Sequence, residues 1–248
     1  MPTPMALIPA RAGSLRVPNK NIRYLAGHPL IAYTIVSAKE SGIFKRIIVS
    51  TDSEVIRKIA VYYGAEAPFL RPAELATSIS PDIEWLKHAL SQIDEKYDTF
   101  SILRATSPFR TAETIKRAWQ QFLSMPDIDS LRAVELCRQH PGKMWVVEGN
   151  LMHPFLDQSH LEVPWHSSQY QALPKVYVQN SSLEVAWAKV VWQYNSLGGR
   201  KIAPFFTTEI EGFSIDYESD LVVTEDMIKT GKAALPKINC KPWIADNK

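Results

Sequence analysis

MALIPARAGSLRVPNKN, residues 5–21, joins an apolar run to a cluster of three cations. The apolar run is typical of a short buried strand. Directly after it, Arg11, Arg16 and Lys20 surround a single glycine, Gly13. A loop at a strand end can direct backbone N–H groups and charged side chains at one anion. The segment therefore predicts a loop that binds a triphosphate, with a merely solvated basic loop as the alternative.

The loop matches neither of two common phosphate-binding motifs. No Gly-Lys-Ser/Thr follows at the Walker spacing, and the three spaced glycines of the dinucleotide fingerprint are missing. The prediction of an anion site therefore depends on the cations and on their position after a strand.

Strand and helix patterns alternate through the first half of the chain. Apolar residues at helical spacing predict four helices, at 29–42 stopped by Gly42, 53–64 capped by Ser53 and closed by Gly64, 81–93 with Pro81 in the first turn, and 111–125 capped by Thr111. Buried-strand patterns at 44–51 and 98–106 lie between them. This order predicts an α/β fold with a doubly wound, mainly parallel sheet, whose ligands lie at the carboxyl ends of the strands.

The second half of the chain is predicted to be rich in strands. Strand-like patterns cover 130–136, 143–149, 175–191 and 199–207, and a closing helix is predicted at 219–235 with Ser219 as its cap. We interpret residues from about 138 to 175 as an arm inserted into a single domain that spans 1–248. The tail from residue 236 is expected to be peripheral.

Composition excludes several classes of protein. A net charge of +2 over 248 residues does not suggest nucleic-acid binding, which requires a marked basic excess. No apolar run reaches the roughly 18 residues of a membrane-spanning helix. The two cysteines, Cys137 and Cys240, are far apart and fit a reducing compartment. We therefore expect a cytoplasmic protein without a nucleic-acid or membrane partner.

Several motifs together resemble one enzyme family. LIPARAGSLRVPNKN resembles the signature of the acylneuraminate cytidylyltransferases, sugar nucleotidyltransferases that activate sialic acids and related sugar acids as CMP-sugars. Further similar segments follow in order: PLIAYTI, RIIVSTDSEVI, LRPAELA, ATSPFRTAETI, QHPGKMW, QALPKVYVQN and FSIDYESDL. The resemblance spans roughly residues 5–230. It implies a Rossmann-like nucleotidyltransferase fold, and a homodimer formed through a small β-rich excursion.

The resemblance also implies roles for individual residues. Arg11 and Lys20 would contact the triphosphate of CTP, and Asp216 would help to hold Mg²⁺, a cation that prefers one or two carboxylates plus phosphate oxygens. The remaining nucleotide-binding candidates are Ala10, Ala12, Gly13, Ser14, Arg16, Asn21, Ser80, Arg104, Thr106 and Ser107. The candidates for binding the sugar acceptor are Lys143, Tyr170, Gln171, Asn180 and Glu184.

The implied reaction is nucleotidyl transfer. A hydroxyl of the sugar attacks the α-phosphorus of the triphosphate, and pyrophosphate leaves. The protein has to align the two groups and neutralise the charge that develops, which suits cations at a strand end.

Four departures from the family pattern leave the substrate open. Arg104 stands where these enzymes have glutamine, Ser214 where they have a second aspartate, and Tyr170 where an arginine helps to hold the sugar carboxylate. Ser181 and Glu184 replace a glycine and a tyrosine. Alternatives are therefore a sugar-1-phosphate nucleotidylyltransferase, possibly using GTP, and a non-catalytic sugar-nucleotide-binding relative.

Three other charged residues are weaker candidates. Asp52 and Asp82 are carboxylates that could contribute to a metal site. Arg110, which follows SPF, could contact the nucleotide or could pair with a carboxylate of the next helix.

Overall fold

A computed structural model describes residues 2–208 and 210–244. The strands and α-helices of this part of the chain are, in order, β1 (Pro4–Pro9), β2 (Tyr24–Leu25), β3 (His28–Pro29), α1 (Leu30–Ser41), β4 (Arg46–Ser50), α2 (Glu54–Tyr62), α3 (Asp82–Ser91), β5 (Thr99–Ile102), α4 (Ala112–Ser124), β6 (Ser130–Leu136), β7 (Trp145–Glu148), β8 (Leu151–Pro154), β9 (Tyr177–Trp187), α5 (Lys189–Tyr194), β10 (Ile202–Phe206) and α6 (Glu218–Lys229).

Six strands form the central sheet, in the order β10–β6–β9–β5–β1–β4. The pairs β1–β4, β1–β5 and β6–β10 are parallel, and β9 pairs with both β5 and β6 in antiparallel register. The mainly parallel α/β sheet predicted from the sequence is confirmed. Because β9 runs in the opposite direction, its first half lies beside the carboxyl ends of β5 and β6.

Helices cover both faces of the sheet. Along β1, Ala6 and Ile8 face one apolar cluster while Met5 and Leu7 face another, as the period of two in a strand requires. The first cluster includes buried residues of α1, α2 and α4, and the second includes residues of α3 and α5. Burial on both faces explains why the strands read as continuous apolar runs.

Capping residues set most of the predicted helix boundaries. The hydroxyl oxygens of Ser53 and Thr111 accept the N–H groups of Ile56 and Thr114 at 3.4 and 3.2 Å, and α1 ends at Gly42 with φ +64°. Pro81 is the cap of α3, directly before its first turn. Within residues 2–208 and 210–244, the helices are too short or too polar to cross a bilayer.

Two boundaries in the second half differ from the predictions. The segment 175–191 is not one strand: β9 ends at Trp187 and α5 begins at Lys189, because a short apolar run fits either period. Ser219 is not a cap but lies in the first turn of α6. The carboxylate of Asp220 caps this helix, accepting the N–H groups of Asp216 and Tyr217 at 2.8 Å each.

Residues between β6 and β9 leave the central sheet. They contain a separate two-stranded hairpin, β7–β8, and three single 3₁₀ turns. His140 accepts the N–H of Gly142 on Nδ1, and its Nε2 lies 3.0 Å from the carbonyl oxygen of Pro174. We call residues 138–175 the arm.

The tail from residue 236, described as far as residue 244, has no helix or strand and no buried residue over that range, and a few of its side chains pack against the helix layer. The Trp243 ring contacts the Tyr62 ring edge-on, with 5.3 Å between the ring centroids. The N–H of Trp243 donates to the Tyr63 hydroxyl at 3.0 Å, and the Tyr62 hydroxyl donates to the carbonyl of Lys241 at 3.0 Å. Aromatic side chains at the end of α2 therefore hold this segment in place.

Candidate active site

Three adjoining cavities form one cleft at the carboxyl ends of β1 and β5. The loop cavity, about 320 Å³, is lined by Arg11, Ser14, Arg16, Lys20, Arg71 and Arg104 among others. The junction cavity, about 280 Å³, is lined by Lys20, Arg104, Thr106, Asn180, Glu184 and Asp216 among others. The distal cavity, about 320 Å³, is lined by Glu135, Arg138, Gln179, Asn180, Ser214 and Asp216 among others. Residues shared between the linings show that the three cavities lie side by side.

The loop after β1 is held from both sides. Asp52 accepts the N–H of Ala12 on Oδ1 at 2.8 Å, and the Asn21 amide donates to the carbonyl of Arg11 at 2.9 Å. Val17 is fully buried in an apolar cluster that also includes residues of α1 and α6. A Cβ placed on Gly13 would meet no protein atom within 4 Å, so the space beside it is open to a ligand. Asp52 therefore shapes the loop through the backbone.

An ion pair joins the loop to the start of α6. The Nζ of Lys20 lies 2.9 Å from Oδ1 of Asp216, and a guanidinium nitrogen of Arg16 lies 3.8 Å from the same oxygen. Burial raises the pKa of Asp216, but the hydrogen bond and charge of Lys20, together with Arg16, outweigh burial and lower it. Asp216 is therefore ionised at neutral pH, and it lines both the junction and the distal cavities.

Arg71 is a buried cation of the loop cavity that was not predicted as a site residue from the sequence. Its guanidinium donates to the carbonyl and the hydroxyl oxygen of Ser50, at 2.8 and 3.1 Å, and lies 5.2 Å from the centroid of the Trp85 ring. Burial lowers the pKa of Arg71 to about 10, so it remains charged at neutral pH. The available signal was an arginine within LRPAELA, one of the segments that resemble the family.

Arg104 belongs to a chain of four alternating charges. It donates to Asp82 and lies 3.7 Å from Glu184, which also accepts from Arg132 at 2.5 Å. Burial lowers the pKa of Arg104, but the attraction of Asp82 and Glu184 outweighs burial and raises it. Glu184 is therefore neutralised by two arginines, and Asp82 is bound to Arg104 and to the Trp85 indole at 2.7 Å.

Arg110 neither lines the cleft nor pairs with a carboxylate in the described part of the chain. It is fully buried, and its guanidinium donates to the carbonyls of Ser182 and Arg104 and to the Thr34 hydroxyl. Burial lowers its pKa to about 9. Both roles considered for Arg110 are thus replaced by a structural one, which connects β9 to the segment after β5.

A bulge in β9 places Asn180 in the cleft. The register against β6 shifts between Arg132 and Val134, so the residues after Gln179 leave the regular ladder. The Asn180 amide donates to the Thr207 hydroxyl at 2.8 Å and to Glu135 at 3.2 Å. Asn180 therefore borders both the junction and the distal cavities with a fixed orientation.

Only some of the other nucleotide-binding candidates line the cleft. Ser14 and Thr106 line the loop cavity, whereas Ala10 and Ser107 are buried beside it. The Ser80 hydroxyl donates to the carbonyl of Glu74 at 2.9 Å, and Ser78, not Ser80, is among the lining residues.

Three acceptor-binding candidates lie in the arm and away from the cleft lining. The Nζ of Lys143 donates to the carbonyls of Ser168 and His166 at 2.7 and 3.3 Å. Tyr170 bonds to backbone carbonyls at the start of the arm, and Gln171 is exposed. The structure therefore brings only Asn180 and Glu184 of the acceptor set into the cavities of this chain.

The described residues contain no group of three or more histidine, cysteine, aspartate or glutamate side chains arranged to hold a metal ion. Asp216 offers one ionised carboxylate at the junction, and the neighbouring position 214 is a serine. One carboxylate suits a Mg²⁺ ion whose other ligands are phosphate oxygens and water. The donor set fits a metal that arrives with a triphosphate.

Comparisons with known proteins agree with this geometry. The sequence profile of the family described as Cytidylyltransferase matches residues 5–181. The chain is 37% identical over 240 residues to the CMP-N,N'-diacetyllegionaminic acid synthase of Legionella pneumophila, covering 93% of this chain and 98% of that one. It is 32% identical over 231 residues to the post-translational flagellin modification protein B of Campylobacter coli, covering 91% and 94%.

The fold is also found among solved structures. A CMP:2-keto-3-deoxy-manno-octonic acid synthetase complexed with CTP superposes with a TM-score of 0.67 at 14% identity, over 92% of this chain and 99% of that chain. A 4-diphosphocytidyl-2C-methyl-D-erythritol synthase from Anaerococcus prevotii gives a TM-score of 0.62 at 11% identity, over 92% and 99%. The sequence matches, together with the cationic loop and cleft, show that the chain belongs to the cytidylyltransferase family.

Proposed function

We propose that this enzyme transfers CMP from CTP to a nonulosonic acid, a nine-carbon sugar acid of the sialic type, and releases pyrophosphate. The observation that carries the proposal is the row of adjoining cavities, with a cationic loop at one end and a polar cavity at the other. A relative that is similar over nearly the full chain is a CMP-N,N'-diacetyllegionaminic acid synthase, and legionaminic acid belongs to this class.

The triphosphate of CTP binds in the loop cavity. Arg11, Arg16 and Lys20 line this cavity, and charge-assisted bonds from such groups to phosphate oxygens are about twice as strong as neutral ones. The open space beside Gly13 lets the backbone approach the phosphates. Lys20 is largely buried, so its charge acts in a poorly screened environment.

The cytosine base binds at the end of the loop cavity formed by Arg71 and Trp85. Both side chains line this cavity, and Arg71 is fixed by Ser50 and by the Trp85 ring. A guanidinium held in this way presents its remaining N–H donors in one orientation, which suits the carbonyl and ring-nitrogen acceptors of a cytosine.

The chemistry takes place at the junction cavity. A sugar hydroxyl attacks the α-phosphorus, the bond to pyrophosphate breaks as the new P–O bond forms, and the hydroxyl proton passes to water. Lys20 neutralises negative charge on the phosphates. Because its pKa is lowered, Asp216 is a weak base, and its contribution is electrostatic. Mg²⁺ bound to Asp216 would supply further charge neutralisation to the phosphate oxygens.

The sugar acid occupies the distal cavity and the adjoining part of the junction. Asn180 borders both cavities and Glu184 borders the junction, so both side chains lie beside the space for the sugar. The ion pairs of Glu184 with two arginines remove the repulsion that an isolated carboxylate would exert on an acidic substrate. A glutamate at this position is therefore compatible with a sugar acid.

The arm contacts a second copy of the chain in a cytoplasmic homodimer. Its hairpin exposes several large apolar side chains: Val147, Leu151, Met152 and Phe155 are each at least 59% exposed. Such a cluster is typical of an interaction surface. Dimerisation would bring Lys143 and Gln171 near the distal cavity of the partner, in agreement with their absence from the cleft of their own chain. The cytoplasm is supported by the two free cysteines.

The test is release of pyrophosphate in the presence of Mg²⁺, with the four nucleoside triphosphates tried against nonulosonic acids and sugar 1-phosphates. We expect release with CTP and a nonulosonic acid, including N,N'-diacetyllegionaminic acid. Release only with a sugar 1-phosphate, or only with GTP, would contradict the proposed substrates. Nucleotide binding without release under any combination would indicate a non-catalytic relative.

A further inference from the structure

The distal cavity contains a cation that no predicted role explains. Arg138 is the one cationic side chain among the described residues that line this cavity, alongside the acidic Glu135 and Asp216. A sugar acid carries a carboxylate, which needs a cationic partner in a site of this charge. Tyr170, which occupies the place of the family's carboxylate-binding arginine, has no charge to offer.

The other cations near the acceptor are already engaged. Lys20 pairs with Asp216 at 2.9 Å. Arg104 pairs with Asp82 and Glu184, and Arg132 bonds to Glu184 and to Gln179 at 2.5 and 2.6 Å. Using any of them for the sugar carboxylate would weaken an ion pair that already exists.

Arg138 makes no ion pair within residues 2–208 and 210–244, so its guanidinium is available to a ligand. It is the second residue after β6, at the point where the chain leaves the central sheet for the arm. The N–H of the preceding Cys137 donates to the carbonyl of Val176 at 3.0 Å. The backbone next to Arg138 is thereby tied to the segment that enters β9, while the side chain remains exposed.

Tyr170 fixes the backbone of Arg138 itself. Its hydroxyl lies 2.7 Å from the carbonyl oxygen of Arg138 and 2.9 Å from that of Cys137, and its single proton is shared between them. The Tyr170 ring also lies edge-on to His140, with 6.2 Å between centroids. The residue that replaces the family's arginine thus holds in place the residue that lines the cavity.

We propose that Arg138 binds the carboxylate of the sugar acid, and that Tyr170 is a positioning residue that acts through the backbone of Arg138. The inference rests on the proposed function, because it assigns the anionic group of that acceptor. A guanidinium matches a carboxylate with two parallel N–H···O bonds, which a tyrosine at position 170 could not provide. The acceptor class is therefore a sugar with a free carboxylate.

The test compares wild type with Arg138→Met, Arg138→Lys and Arg200→Met, the last being a control at an exposed arginine that stacks on Tyr194. Substrates are CTP with N,N'-diacetyllegionaminic acid or with its methyl ester. We expect Arg138→Met to raise the KM for the acid about tenfold or more, from the loss of a charged hydrogen bond, with the KM for CTP unchanged. Arg138→Lys should recover part of the loss, and the methyl ester should not distinguish Arg138→Met from wild type.

Equal KM values for the acid in wild type and Arg138→Met would overturn the inference while leaving the proposed function intact. Calorimetric binding of the acid in the presence of CTP separates the remaining cases. Binding that depends on Arg138 without pyrophosphate release would refute the proposed function alone. If no nonulosonic acid binds and none causes release of pyrophosphate, both the inference about Arg138 and the proposed function are refuted.

Tyr170→Phe tests the positioning role. Loss of the hydroxyl should raise the KM for the acid a few-fold in the wild-type background and should have no further effect together with Arg138→Met. Additive effects in the double variant would show that Tyr170 acts independently of Arg138 and would overturn this part of the proposal.

Discussion

The loop cavity and the distal cavity belong to one cleft, yet they are built in different ways. Most of the cations of the loop cavity come from one segment, residues 9–21, which follows the first strand. The distal cavity is assembled from three separate segments, 135–138, 178–181 and 212–216. A site formed within one segment leaves a pattern in the sequence, whereas a site formed from distant segments depends on which residues pair in three dimensions. The predictions below test whether the two ends also act separately.

The largest effect is expected at the junction, where the two ends meet. Asp216→Asn removes the charge that pairs with Lys20, and we expect kcat to fall by about 10²- to 10³-fold, the range for a lost electrostatic contact to a transition state. Steady-state kinetics measures the fall, and circular dichroism checks the fold. Asp226→Asn, at an exposed position of the same helix, is the control and should leave kcat unchanged. A loss below threefold in Asp216→Asn would exclude Asp216 from the reaction.

The second largest effect is expected at the nucleotide end of the cleft. Arg71→Met removes a buried guanidinium beside Trp85, and the KM for CTP should rise by about 10- to 100-fold, the range for hydrogen bonds to a charged group. The KM for the sugar acid should change little, which is the opposite of the result expected for Arg138→Met. If both variants changed the same KM value, the two ends of the cleft would not be separate sites.

A smaller effect is expected at Glu184, which belongs to the chain of alternating charges and borders the junction cavity. Glu184→Gln keeps the shape but weakens the pairs with Arg104 and Arg132, so the KM for the sugar acid should change by roughly three- to tenfold. Glu225→Gln on the exposed face of α6 serves as the matched control. Competition assays with nonulosonic acids that differ in their hydroxyl and amide groups measure the change. A shift in the KM for CTP alone would place Glu184 on the nucleotide side.

The smallest effect concerns acid stability. Burial raises the pKa of Asp82, but the charge and hydrogen bond of Arg104 outweigh burial and lower it. The pKa of Asp216 is lowered in the same way by Lys20. A carboxyl group whose pKa is lower in the folded than in the unfolded protein stabilises the fold at any pH above its unfolded pKa. This contribution is lost as the pH falls through the folded pKa. Titration of these two groups should therefore change the melting temperature little between pH 5 and 8. At pH values below about 4, the melting temperature should fall.

The variant Asp82→Asn makes that prediction specific. It should have a lower melting temperature than wild type at pH 7 and a shallower further drop in acid. An identical acid drop in both proteins would show that Asp82 does not contribute to it.

The sequence predicted the fold well because its signals were local. Buried apolar runs, the caps Ser53 and Thr111, and Gly42 at a helix end each act within a few residues. The apolar run after Trp187 was misassigned, since its valines fit a strand or a helix and only burial against α3 distinguishes them.

The candidate site was predicted in part. The structure places Arg11, Lys20 and Asp216 around the cleft, as their motifs indicated, but the pairing of Glu184 with Arg132 arises from strands β6 and β9 lying side by side. A single sequence does not show such a register. Arg110 was misjudged for the same reason, because its partners are backbone carbonyls.

The most direct measurement is ³¹P NMR of the product formed from CTP, Mg²⁺ and N,N'-diacetyllegionaminic acid. We expect one resonance from a phosphodiester that joins the CMP phosphorus to the sugar, together with an equal amount of free pyrophosphate. Hydrolysis of CTP to free CMP, or a pyrophosphate-linked sugar formed only when a sugar 1-phosphate is supplied, would contradict the proposed function.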